Sequence, residues 1–117
     1  MWPETDEPFV HIELAARRII EVLHGVEEDE FRSDWKLQAV VERLLEVLGE
    51  AARRVPEDAR RDHPGIAWAE VVGLRNVIAH AYHRVSLLRI WYICTEDVPA
   101  LHAYVAGLLV DGDISPS

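Results

Sequence analysis

Gly73-Leu74-Arg75-Asn76-Val77-Ile78-Ala79-His80-Ala81-Tyr82 is written as helix, yet it carries polar groups that a helix does not need. Leu74 and Ile78, with Val71 and Ala81, recur at the three-and-four spacing of one buried helical face. Arg75, Asn76, His80 and Tyr82 fall outside that face. At about 100° per residue, Arg75 and Tyr82 share one line and Asn76 and His80 the next. The strip so formed holds a fixed cation, an amide, an imidazole that titrates near neutral pH and a phenol.

Helical spacing continues on both sides. Phe9, Ile12, Ala16, Ile19, Ile20 and Leu23 form one face, with Gly25 as a stop. The run Glu27-Glu28-Asp29-Glu30 reads as acids at a helix N-terminus, where orphan amides and the macrodipole favour them, rather than as a metal patch. A long helix then runs from residue 28 or 34 to Val55. Its apolar stripe, which includes Leu44, Leu48 and Ala52, is wider than one core face and predicts burial on two sides, the second against a dimer partner. Gly49 in its middle costs about 1 kcal/mol against Ala, which points to close helix–helix approach.

Pro56 ends that helix, residues 57–62 read as a short helical turn, and His63-Pro64-Gly65 is a turn. Trp68 opens the motif helix, which is expected to end near Ala81–His83. Ser86 is expected to cap a helix over 87–94, and Asp97 the last one, with Pro99 near its start. Val98, Leu101, Val105, Leu108 and Leu109 form its buried face. No strand of period two occurs. The expected fold is all-α: one domain over residues 1–117, an up-down bundle of four to five helices with frayed tails at 1–8 and 111–117.

The net charge of −9 argues against a general nucleic-acid-binding surface, so an RNA substrate requires a local basic cleft or very few phosphate contacts. Arg53, Arg54, Arg60 and Arg61 make the densest basic cluster, and it reads equally as a solvated face or as a rim that guides RNA. Cys94 stands alone, so no internal disulfide forms. No signal peptide and no apolar run long enough to span a bilayer is read, which predicts a cytoplasmic protein without a membrane partner. His80 and His83 lack an acidic or cysteine partner at supportive spacing, so neither metal nor cofactor is expected. His11, His24, His63 and His102 are scattered, and Trp2, Trp35, Trp68 and Trp91 read as core or interface aromatics.

The 73–82 stretch resembles the motif of the HEPN ribonuclease toxins, and more narrowly of the HepT family: Arg, a polar residue, three more, His, any residue, Tyr. Residues 66–74 are similar to the family's segment before the motif. Leu48-Gly49-Glu50-Ala51-Ala52 resembles its second-helix signature, and Glu96–Leu101 the start of its last helix. The ordered set of four segments is more specific than an Arg-x4-His alone.

RNA can be cut without a metal because its 2′-hydroxyl is the nucleophile. His80 suits the base or the acid, and Arg75, a permanent cation with a planar fork, suits the phosphorane. Asn76 suits orienting His80 or holding a phosphate. The resemblance assigns catalysis to Arg75 and His80, with Asn76 supporting. It also implies a homodimer with a composite site, and an MntA-type nucleotidyltransferase partner that transfers AMP to Tyr82. Arg75 and His80 lie about 140° apart on an ideal helix, so one helix does not aim both at one atom. The rival readings are a non-catalytic helical module that holds a nucleotide or partner, and a purely structural dimer. By periodicity alone, Arg75 and His80 are ordinary surface groups near a helix C-terminus.

Overall fold

A computed structural model describes residues 7–79 and 84–111. Helix α1 spans Glu7–Leu23 and buries Phe9, Ile12, Ala15, Ala16, Ile19 and Leu23. Gly25, at φ 76°, takes the left-handed conformation that ends it. Glu28, Asp29 and Glu30 form the first turn of the short helix α2, Glu28–Ser33, as the macrodipole requires. Asp34 then separates α2 from α3, Trp35–Arg53. Its Oδ1 accepts the N–H groups of Lys36 at 3.0 Å and Leu37 at 3.2 Å. The later of the two expected starts is therefore the observed one.

Leu48 and Ala52 are fully buried, and Leu44 packs against the same core. α1 covers one flank of α3, while α5 (Trp68–Val72) and α6 (Leu74–Ala79) cover the other. The same chain thus supplies both sides of the stripe over the C-terminal half of α3, while Trp35 and Val40 nearer its start stay exposed. Gly49 explains how the second side closes. A Cβ there would stand 3.2 Å from the Val71 carbonyl oxygen and 3.6 Å from Leu74 Cβ. The expected close approach is present, and its neighbours are the start of the 73–82 stretch.

Pro56 begins α4, Glu57–Asp62. Trp68 opens α5 as expected, with its indole N–H shared between the carbonyls of His63 at 3.0 Å and Arg60 at 3.2 Å. The motif helix is not continuous. Gly73, at φ −73° and ψ −3°, closes α5, and α6 begins at the next residue. The C-terminal part also departs from expectation. Helix α7, Arg84–Tyr92, begins two residues before Ser86, so Ser86 lies within it rather than at the expected N-cap position. It passes through a π-helical stretch, Ile93–Asp97, straight into α8, Val98–Asp111, so Asp97 caps no separate helix. Pro99 supplies the physical reason, because in α register its ring would press on the carbonyl four residues back, that of Thr95. A widened turn with Val98 N–H bonded to Ile93 O lets the helix continue.

Fusion of the two expected helices creates one helical stretch, Leu87–Val110, that is long and apolar enough to cross a bilayer by length and composition. The sequence reading had found no such run. In the fold, Ile90, Cys94, Val98, Val105 and Leu108 of that stretch are buried in the core. Trp91 and Phe31 have ring centroids 5.4 Å apart, and Trp68 packs edge-on to Phe9 at 5.9 Å. Trp35 is not a core aromatic, standing 70 % exposed with Lys36 over its ring.

Replacing Gly49 by Leu forces side-chain atoms into the Val71–Leu74 backbone. Such overpacking costs about 1–3 kcal/mol, and the helix-propensity gain of about 1 kcal/mol offsets only part of it. Urea denaturation of Gly49→Leu is expected to show a lower midpoint. An unchanged or higher midpoint would refute the close approach.

The α1–α8 seam carries one polar tie. His102 Nε2 lies 2.9 Å from Glu13 Oε2, and Arg17 Nε donates to the same oxygen at 3.0 Å. Burial pushes the Glu13 carboxyl up, but the hydrogen bonds from Arg17 and His102 outweigh it and hold the group below 4.5. A depressed carboxyl stabilises the fold above its unfolded pKa and loses that contribution as pH falls through the folded one. The difference in denaturation midpoint between wild type and Glu13→Gln is therefore expected to be full at pH 6 and to close in acid below 4.5. A difference that persists or grows there would contradict this tie.

Candidate active site

The break at Gly73 leaves α6 with its own register. Asn76 N–H reaches the Gly73 carbonyl at 3.0 Å and Val77 N–H reaches it at 3.4 Å. Leu74 is buried, Val77 and Ile78 are half-buried against the core, and Arg75 and Asn76 are exposed. The apolar face and the polar strip therefore divide as their spacing predicts. His80, Ala81 and Tyr82 lie outside the described residues, as does the expected helix end near 81–83. Of the strip, the structure places Arg75 and Asn76.

Because Gly49 admits α6 to close range, the next residue of α3, Glu50, comes beside Arg75. Arg75 Nη1 stands 3.7 Å from Glu50 Oε2. That is an ion pair rather than a hydrogen bond. Glu50 itself is held by a two-pronged contact in which Arg53 Nη2 donates to Oε1 at 2.6 Å and Nε donates to Oε2 at 3.1 Å. These hydrogen bonds hold the Glu50 carboxyl below its ordinary value against partial desolvation, with the charges of Arg53, Arg75 and Arg54 adding to the effect. The Arg75 side chain remains 64 % exposed. It is thus steered from one side and open to a ligand on the other. The sequence places Glu50 within the second-helix signature Leu48–Ala52 but assigns it no role.

The basic cluster divides. Arg60 turns inward and donates to the carbonyls of Val55 at 3.1 Å, Arg53 at 3.0 Å and Ala52 at 3.2 Å, which satisfies the end of α3. Arg61 pairs with Asp58 on its own short helix. Arg53 remains beside Arg75 through Glu50, and the Arg54 charge adds slightly to the lowering of the same carboxyl. An open groove of about 700 Å³ runs on the other side of α6, between α5–α6 and the α7–α8 helix. Val77, Arg89, Tyr92, Asp97 and Tyr104 are among the residues that line it.

Among the described residues, no three His, Cys, Asp or Glu side chains gather to hold a metal. His11 pairs with Glu7 at 3.4 Å, and His63 stacks edge-on with Phe9 and Tyr104. Cys94 is buried, and burial pushes its thiol up to about 12, which removes it as a nucleophile.

A family described as Ribonuclease HepT-like matches residues 12–108, which span the helical core and Arg75 and Asn76. The chain belongs to this family. A Methanocaldococcus jannaschii protein, named provisionally as an RNase, is 36 % identical over 87 residues, covering 74 % of this chain and 80 % of that one. A Thermococcus cleftensis protein, named provisionally as ribonuclease HepT, is 40 % identical over 73 residues, 62 % of this chain and 66 % of its own. A Caldanaerobacter subterraneus protein, also named provisionally as an RNase, is 30 % identical over 107 residues, 91 % and 96 % of the two chains. No solved structure matches significantly. The resemblance read from the motif, the all-α class and the RNA endonuclease class all agree with membership in the HepT-like ribonucleases.

Proposed function

We propose that this protein is a metal-independent endoribonuclease, the toxin component of a toxin–antitoxin pair, acting in the cytoplasm. Membership of residues 12–108 in the HepT-like ribonucleases is the observation that supports this most, because the match includes the arginine the structure leaves exposed and steered. In this reading the RNA 2′-hydroxyl attacks the adjacent phosphorus while a base takes its proton. The P–O5′ bond then breaks and an acid protonates the departing 5′-oxygen. The products are a 2′,3′-cyclic phosphate and a 5′-hydroxyl. His80 serves as base or acid, Arg75 neutralises the phosphorane, and Asn76 supports them.

The angular separation of positions 75 and 80 makes a second copy part of the proposal. Two chains, paired with their motif helices facing, bring two Arg75 and two His80 into one groove. The partner protein is an MntA-type nucleotidyltransferase that joins AMP to Tyr82. A bulky phosphodiester there competes with substrate phosphate for Arg75 and blocks its approach.

Cleavage of a defined single-stranded RNA is the test. His80→Ala is expected to slow it by a factor of about a hundred to ten thousand, and Arg75→Ala by about a hundred to a thousand. Chelator should leave the rate unchanged, and products should end in cyclic phosphate. Tyr82→Phe should cleave normally yet escape the partner, and mass spectrometry should find AMP on the wild-type Tyr82 peptide after co-expression. Full activity in His80→Ala, dependence on a divalent metal, or a strict monomer in sedimentation would overturn the mechanism.

A further inference from the structure

Two guanidiniums meet on one carboxylate at the seam between α3 and α6, and a third arginine stands at the adjoining helix end. Arg53 grips Glu50 through two hydrogen bonds, and Arg75 approaches the same carboxylate from α6 at 3.7 Å. Arg54, the residue that ends α3, adds its charge to the same group. Three positive charges against one negative leave +2 at this spot, in a chain whose net charge is −9.

An exposed Arg–Glu pair contributes little to stability, so holding the fold together is a poor account of this cluster. The end of α3 needs no help from Arg53 or Arg54 either, because Arg60 already satisfies its carbonyls. The two contacts to Glu50 also differ in kind. Arg53 is bonded as tightly as charge-assisted pairs become, whereas Arg75 is beyond hydrogen-bond reach and mostly exposed. An arriving phosphate therefore meets one fixed guanidinium, one steered guanidinium and one exposed guanidinium at the helix end.

We propose that Arg53 and Arg75, both held on Glu50 at the α3–α6 seam, form with Arg54 at the adjoining helix end the subsite that holds the RNA backbone, with Glu50 as the positioning residue that aims Arg75. The proposal rests on the ribonuclease reading and adds to it where the chain meets phosphates. Arg75 takes the scissile phosphate, and Arg53 and Arg54 take a neighbouring phosphodiester. Glu50 opposes binding by its own charge while it keeps Arg75 oriented. Its removal thus acts in opposite directions on affinity and turnover, which a merely structural carboxylate would not do.

The probe is a fluorescent single-stranded RNA, 2′-O-methylated at every position so that it cannot be cut, titrated into the full chain across a salt series. The matching cleavable RNA gives kcat and KM. Each phosphate contact contributes about 0.7 to the log–log salt slope on a single strand. Arg53→Ala and Arg54→Ala are each expected to reduce the slope by about that amount and to raise KM several-fold. Arg61→Ala, which removes an equal charge paired with Asp58 outside the seam, should leave the slope as it is. Glu50→Gln should bind the uncut probe more tightly and lower KM, while kcat falls about tenfold or more through misplacement of Arg75.

If Arg53→Ala and Arg54→Ala behave like Arg61→Ala in an enzyme that still cleaves, the subsite is wrong and the ribonuclease reading stands. If the slopes change as expected but no variant and no wild type cleaves, the subsite stands and the catalytic reading falls. Absence of RNA binding by the wild type overturns both. Glu50 is exposed enough for its variant to fold. Should thermal melting show otherwise, the arginine variants decide the subsite alone, because a slope they leave unchanged already refutes it.

Discussion

Everything proposed for this protein depends on how closely α5 and α6 approach α3, and that closeness exists because residue 49 has no side chain. With the Val71 carbonyl 3.2 Å from where a Cβ would stand, the two backbones are nearly in contact. Leu74 can then bury itself against Leu48, and Arg75 falls beside Glu50. A larger residue at position 49 would separate these groups together, because one contact sets core packing and site electrostatics at once. The helical penalty of a mid-helix glycine is accepted at the position where the chain's chemistry meets its core.

The same seam answers the difficulty posed by an acidic chain that acts on RNA. A net charge of −9 does not have to be evenly spread. On α1 and α2, acids pair with arginines along the helix surface, as in Glu13 with Arg17 and Asp29 with Arg32. At the α3–α6 seam, arginines outnumber acids. The local field is then attractive while the distant field is repulsive, which favours few contacts over broad electrostatic capture.

Helix continuity illustrates how local rules compete. Pro99, preceded by Asp97, is a fair local signal for a helix start. The packing of Ile90, Cys94 and Val98 before it and of Val105 after it keeps the chain in one long helix instead. The conflict is resolved by widening one turn, and the apolar length that results comes from this fusion rather than from any single uninterrupted apolar segment.

By itself the sequence determined which segments are helical and which faces are buried, because both follow from spacing within about two turns of chain. Gly25 and Asp34 end and begin helices by their own backbone and side-chain chemistry, and the sequence showed both. It also separated Leu74 and Ile78 from Arg75 and Asn76, and the order of its motifs pointed to the family. Only the tertiary structure decided that the C-terminal half of the wide stripe of α3 is covered by its own chain. It likewise decided that Arg60 caps α3 while Arg53 and Arg54 remain at the site, and that Glu50 is the counter-ion of Arg75. The cap and the counter-ion alone join residues 8 and 25 positions apart, and the packing of α1 on α3 joins residues further apart still. No periodicity encodes which charged group on one helix will stand opposite a charged group on another; that is set by the distance between helix axes, here the distance a single glycine allows.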